Sequence, residues 1–312
     1  MSTTTADDSK LDLDKILSNA QLPALPQSAM RLLELSQDPK VGPNEFAVPI
    51  EADPGLTSQV LRFVNSSYFG FSREISSIAL AINLVGVRTI KNFSLWSAVF
   101  SLMPNPKCGP LDLKGLWQDS LRRAIFARRV GQILGSKSAD DQFAAALLQD
   151  MAVPLLAKEA QDRYAELIGA RDQGRLRLSK LEGEAFGWTH AHAAGRMARQ
   201  WNLPEAFAVM IEHHAEIDHW SADPQSEPGI FSVGLSALLP SSADIFWHEA
   251  LTFDGHYDQL VPLGAPALPT MLATVDAEFE EFAPVLKLST PAKSLAECCR
   301  EAAEEFEGTA AG

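Results

Sequence analysis

Cysteine is scarce in this chain: Cys108, Cys298 and Cys299 are the only three in 312 residues. An odd count, with two adjacent and no CxxC pair, makes no disulfide framework. Reduced thiols in a cytoplasmic protein are therefore expected. Long apolar runs are missing too. No stretch reaches the roughly eighteen residues that a membrane-spanning helix needs. The opening MSTTTADDSKLDLDK has no basic start leading into an apolar core, so no secretory signal is expected. Positive charge is in short supply. Against 40 Asp and Glu stand 26 Lys and Arg, a formal net charge of −14. Such a surface repels phosphate backbones and anionic lipid, so neither nucleic acid nor membrane is an expected partner. No alternating strand pattern and no solenoid-period repeat appears. Glycine-rich phosphate loops, nucleophile elbows and HExxH are all absent, which removes kinase, α/β-hydrolase and zincin readings.

What is present is helix after helix. Hydrophobic residues make up 46% and charged ones 21%, the balance of a packed globular chain. Residues 1–12 read as a polar, frayed tail, with residues 1–19 taken together as flexible. LPALP and SQDPKVGP punctuate the next stretch with prolines. Asp53 before Pro54 predicts a helix start, continued by the stripe Leu56, Val60, Phe63, Val64. Ser77 predicts the cap of SIALAINLV, and Gly86 its end. PNPKCGP, residues 104–110, reads as a linker between two lobes. Helices are then expected over 116–134, 142–160, 189–201 and 204–217. Residues 218–265, rich in Pro, Ser, Asp and Gly, are the least regular part. Two amphipathic helices close the chain. One carries Met271, Val275, Phe279 and Phe282; the other carries Leu295, Cys299, Ala302 and Phe306.

Several polar residues sit where core residues belong. Phe143, Ala146, Leu147 and Asp150 share one helical face. His190 shares a stripe with Ala194, Met197 and Trp201, with Thr189 as its cap. His214 comes after Phe207, Met210 and Ile211, and His213 lies one step round. A buried carboxylate is costly unless it is paired or holds a metal. Histidine and carboxylate ligands on a helical bundle can form a metal site. They can equally be a hydrogen-bonded core network, and spacing alone favours the network.

The same segments carry a family resemblance. LPALP, IEADPGLTSQVLRFVNSSYFG and AINLVGVRTIKNFSLW resemble the N-terminal lobe of an HDOD domain. LWQDSLRRA, AALLQDMAV, THAHAAGRMARQWNLP and IEHHAE resemble its HD-like lobe, in the same order. HDOD domains are non-catalytic relatives of the HD metal-dependent phosphohydrolases. The resemblance covers about residues 20–217. It implies an all-α fold in which an N-terminal helical lobe, 20–104, packs on an HD-like helical lobe, 112–217. Residues 218–312 are left as a divergent, partly helical extension.

The resemblance also lets the metal positions be checked. The early histidine of active HD enzymes is replaced here by Asp119 or by Gln118. The His-Asp pair reads Gln149-Asp150. His190, His213 and His214 match later histidines of the cyclic-dinucleotide phosphodiesterase branch. The glycine-tyrosine-proline stretch of that branch is missing, with IDHWSADP in its place. Glutamine is a weak, neutral ligand, and its presence argues against hydrolysis. A remnant site of Asp150, His190, His213 and His214 would hold at most a single divalent metal ion, with no other cofactor expected. Were the chain active, Asp119 would join them.

Two further features stand outside that pattern. Arg122, Arg123, Arg128 and Arg129 form a basic cluster, read either as a docking patch for a phosphate or acidic partner or as a face paired with nearby acids. AINLVGVRTIKNF has the helix–glycine–helix look of DNA readers, but only Arg88 and Lys91 are basic there. The function implied by the resemblance is a bacterial signal-transduction output module that works by protein or ligand binding, linked to cyclic-di-GMP-related signalling. Its signalling partners are expected in trans. The alternative is a metal-dependent phosphodiesterase or phosphohydrolase with a reduced metal set.

Overall fold

The computed structural model describes residues 11–20, 22–35, 38, 40–217, 224 and 226–310. Among them every regular element is helical. The N-terminal lobe contains α1 (Leu13–Asn19), α2 (Gln27–Leu35), α3 (Pro43–Glu51), α4 (Pro54–Val64), α5 (Ile78–Val85) and α6 (Val87–Leu102). The Asp53 side chain accepts from the Leu56 N–H at 3.0 Å, and Pro54 occupies the first position of α4. The predicted stripe of α4 is fully buried. Ser77 caps α5 through the Leu80 N–H, and Gly86 ends it with a φ of 93°, a conformation that favours glycine. That residue turns the chain sharply into α6, and α5 and α6 are bent by 117° at the break. Among the described residues no single helix is long and apolar enough to cross a membrane.

The second lobe holds α7 (Leu113–Ile133), α8 (Ala139–Leu148), α9 (Ala152–Glu159), α10 (Gln161–Gly169), α11 (Leu178–Phe186), α12 (His190–Gln200) and α13 (Glu205–Glu212). The long α7 packs against α8. The helix expected over 142–160 is two helices, broken at Gln149–Met151. Pro154 explains the break. It has no N–H to give to the carbonyl of Asp150 four residues earlier, and its ring crowds that carbonyl. Val153 N–H bonds the Asp150 carbonyl instead, at 3.0 Å.

One expectation needs correction. Of the flexible tail, residues 1–10 lie outside the described residues, but 13–19 is a helix. Leu13, Ile16 and Leu17 are buried, because an amphipathic turn gains by covering apolar surface. Trp188 Nε1 donates to the Leu11 carbonyl at 2.7 Å and Trp201 Nε1 to that of Pro23 at 3.0 Å, tying this segment to the second lobe. The linker 104–110 joins α6 to α7 and is packed: Cys108 is buried, and its Sγ donates to the Gln161 carbonyl at 3.2 Å.

The irregular segment 218–265 holds α14 (Pro228–Ser236) and α15 (Ala250–Leu260); residues 218–223 and 225 lie outside the described residues. The chain ends in α16 (Leu268–Phe282) and α17 (Leu295–Ala310). The last four helices are integral to the core. Met271, Val275, Phe279 and Phe282 are all buried. Phe282 meets Phe63 and Tyr68 of the first lobe and Phe143 of the second, at 5.3, 4.5 and 5.9 Å between ring centroids. One buried apolar cluster runs through both lobes and the extension.

Candidate metal centre

Three chain segments converge on one point. The α8–α9 break puts Asp150 at an inward corner. α12 begins at His190, so that ring sits at the helix entrance behind Thr189. α13 ends at Glu212, and the turn after it swings His214 inward. Asp150, His190 and His214 are each 6% exposed or less.

The ligand-type atoms form a small triangle. His190 Nε2 lies 3.2 Å from Asp150 Oδ1 and 3.2 Å from His214 Nε2; His214 Nε2 lies 3.7 Å from Asp150 Oδ1. Donors about 2.1 Å from an ion and roughly 90–110° apart are separated by about 3.0–3.4 Å. The triangle is therefore close to the face that one ion would occupy, and two imidazoles with a carboxylate are a common donor set for it.

Each ring is oriented from behind. Glu182 Oε2 lies 2.6 Å from His190 Nδ1 and accepts the His190 backbone N–H at 2.8 Å. Tyr164 donates its hydroxyl to the other oxygen of Glu182 at 2.8 Å. His214 Nδ1 is 2.7 Å from the Ile211 carbonyl, an acceptor only. That nitrogen therefore carries the hydrogen, and His214 Nε2 presents its lone pair inward. Carboxylate or carbonyl support behind a ligating histidine is the usual outer shell of a metal site.

Without an ion, a proton serves in its place. Burial works against a charged His190, but Glu182 and Asp150 raise its pKa to about 10. Burial and the neighbouring His190 charge lower that of His214 to about 4, against the pull of Asp150. Burial opposes ionisation of Asp150 as well, yet Arg123 and the two imidazoles hold it well below the usual carboxylate range. His190 thus donates from both nitrogens, and His214 accepts.

Among the described residues these three donors are the set that could hold an ion. Arg123 Nη1 is hydrogen-bonded to Asp150 Oδ2, so a guanidinium takes the oxygen that a second ion would share. Gln149, in place of the imidazole of the pair, is fully buried, with neither amide atom hydrogen-bonded.

Two expected site residues fall outside the triangle. His213 is 40% exposed at its side chain and turns to Glu216, with Nδ1 2.8 Å from Oε2. The helix expected to run through it has already ended, so two adjacent histidines diverge. Asp119, on α7, lines a cavity that also reaches Asp150, His190 and His214, but it accepts from Ser241 Oγ at 2.6 Å and the Ser242 N–H at 2.7 Å. Its burial raises its pKa. Gln118 donates to the Ser289 carbonyl at 2.5 Å. Both candidates for the early position are thus engaged by the extension.

All four residues of the arginine cluster have partners within the chain. Arg128 and Arg129 both pair with Glu278 of α16, Arg128 at 2.6 Å. Arg122 donates to the Lys293 carbonyl and lies over Phe279. Arg123 serves Asp150. Acceptors and opposite charge supplied from elsewhere in the chain have claimed all four. Glu182 and Tyr164 were not anticipated. The sequence held one signal: Glu182 shares the buried face of α11 with Phe186, four residues on.

Among the described residues the body is all-helical, with Asp150, His190 and His214 buried together in its second lobe. The HDOD domain model matches residues 22–217, and the chain belongs to that family. It is similar in structure to an HDOD domain protein of unknown function from Geobacter sulfurreducens. The TM-score is 0.68 and the identity 21%, over 89% of this chain and 99% of that one. A Shewanella amazonensis protein bearing a phosphohydrolase name aligns with TM-score 0.61 and 20% identity, over 94% of this chain and 95% of its own. An uncharacterized protein of Treponema pallidum is 22% identical over 218 residues, 70% of this chain; the match spans only 42% of that relative's length.

Proposed function

We propose that the chain is a cytoplasmic signalling module that acts by binding and not by turnover, with protein partners in trans and a remnant HD pocket holding at most one divalent ion. The observation that carries this is Arg123 on the second oxygen of Asp150, beside a glutamine where the pair's imidazole would stand. A site so arranged keeps Asp150, His190 and His214 for a single ion, which would supply Lewis acidity to a bound oxygen. Among the described residues there is one three-residue donor set and no second one to share the charge of a phosphoester transition state. Family membership supports a place in bacterial signal transduction, with cyclic-di-GMP-related pathways as the proposed setting.

A reduced phosphohydrolase is the second reading, favoured by the convergence of the three ligands. One assay separates the two. The chain, loaded with Mn²⁺ or Fe²⁺, is incubated with bis-p-nitrophenyl phosphate and with cyclic dinucleotides. No release above the protein-free rate is expected. Turnover that disappears in Asp150→Ala supports the enzyme instead. Co-purification of the tagged chain from its host then identifies the partner.

A further inference from the structure

A chamber of about 390 Å³ opens beside the Asp150–His190–His214 triangle. One part of its wall belongs to the HD-like lobe and includes Val153 of α9; another is the segment 237–249 between α14 and α15. That segment has no helix along its length and is tied at its neck. Trp247 Nε1 donates to the Leu238 carbonyl at 3.1 Å, and Leu238, Leu239 and Trp247 are buried. A compact loop with its ends joined is an Ω-type loop, a form that often carries function.

Between those anchors the tip, residues 240–246, is held by polar contacts. Ser241 Oγ and the Ser242 N–H donate to Asp119 at 2.6 and 2.7 Å. Arg171 reaches both oxygens of Asp244, at 2.8 and 3.0 Å. Lys293 donates to the Ile245 carbonyl at 3.1 Å, while the Ile245 side chain stays 59% exposed. Asp244 also accepts the Ser241 N–H at 3.0 Å, so the tip keeps its own turn. Two glycines make room for it. A Cβ at Gly174, where φ is 105°, would lie 2.6 Å from the Asp244 carboxyl carbon, and one at Gly115 would lie 2.9 Å from Ser242 Oγ. The tip is closely seated, yet its hold consists of hydrogen bonds and an ion pair that water replaces at small net cost. Segments with few buried apolar contacts are the ones that open locally.

We propose that residues 240–246 are a gate that swings out from the Leu238–Trp247 neck to open the chamber, with Arg171–Asp244 as its latch. Its role rests on the binding reading of the same pocket, to which it adds a closed and an open state for a ligand or partner to select.

The test uses the intact chain without metal, carrying Val153→Cys as a reporter at a position 3% exposed. N-Ethylmaleimide labelling is followed by mass spectrometry of the peptide that holds position 153. Native Cys108, buried and outside the chamber lining, is the control for unfolding of the whole chain. Adding Asp244→Ala releases the latch. Labelling at 153 is expected to rise roughly tenfold or more, in step with the open population, while Cys108 stays slow. Arg171→Gln serves if that variant does not fold. The converse is a staple. Gly115→Cys with Ser242→Cys sets a Cβ and a sulfur near the roughly 3.0 Å that separates them across a disulfide. Oxidised, it should label at 153 roughly tenfold or more slowly than the same chain reduced. The gate is overturned if the latch variants label at the parental rate, if position 153 and Cys108 speed up together, or if the stapled and reduced chains label alike. No ion or ligand enters these measurements, so their failure leaves the binding reading standing. Phosphoester turnover would sink that reading without touching the gate.

Discussion

At the scale of single residues, the behaviour of the site turns on which groups carry charge. His190 and His214 touch, yet their pKa values part to about 10 and about 4. Against an ordinary value of 6.5, the raised His190 contributes stability that is full below pH 6.5 and is lost as pH climbs through about 10. The depressed His214 contributes stability present above pH 6.5 and lost as pH falls through about 4. Together they place the stability maximum of the metal-free chain near pH 6.5. Urea unfolding midpoints between about pH 4 and pH 10 check this; a profile rising monotonically across that range would contradict it. Asp150→Ala removes the partner of a buried guanidinium. A loss of about 3–5 kcal/mol is expected in denaturant titration, together with loss of metal binding. Asp150→Asn should lose the ion as well, at smaller cost in stability.

At the scale of elements, the joint between α7 and α16 is the informative one. Glu278, 6% exposed, holds both Arg128 and Arg129. Glu278→Ala leaves Arg128 buried without its carboxylate. The expected cost is again about 3–5 kcal/mol, read as a fall in melting temperature; a change under about 0.5 kcal/mol would mean a solvated pair. Much of this level was legible in the sequence. Asp53-Pro54, Ser77 and Gly86 marked α4 and α5 because caps and positive φ depend on local chemistry. The stripes of α16 and α17 were legible because burial follows the helical period. The break at Gln149–Met151 was written in Pro154 but hidden by an apolar run that suits one long helix. His213 enters the candidate site through the family resemblance, and the early end of α13 at Glu212 turns it away to Glu216. The acid partners of the arginines lie up to 150 positions away in the chain, as with Arg128 and Glu278, and local patterning carries no trace of such pairs.

At the scale of the whole molecule, the family segment is not the whole structural unit. The HDOD model ends at residue 217, yet α14 packs on α7 and α8, and α16 packs on α7 and on the 3₁₀ turn Ser67–Phe69. Loops of the extension also close the chamber over Asp119. A fragment ending at residue 217 would therefore expose the faces of α7 and α8 and the ring of Phe63. It is expected to bind the dye ANS, to lose its cooperative thermal transition and to bind no ion; a fragment melting like the intact chain would contradict the shared core. Resemblance gave the lobes and their order, whereas the extension had only amphipathic stripes, which call for burial without naming the surface that receives them.

The most direct test of the one-ion site is the metal stoichiometry of the intact chain. Chain stripped with chelator, reloaded with Mn²⁺ or Zn²⁺ and freed of excess ion is analysed by elemental analysis. Calorimetric titration near neutral pH in buffers of different ionisation enthalpy measures proton release. No more than one ion per chain is expected, with about one proton released per ion bound as His190 yields its Nε2 hydrogen. Two tightly held ions per chain, or uptake without proton release, would contradict it.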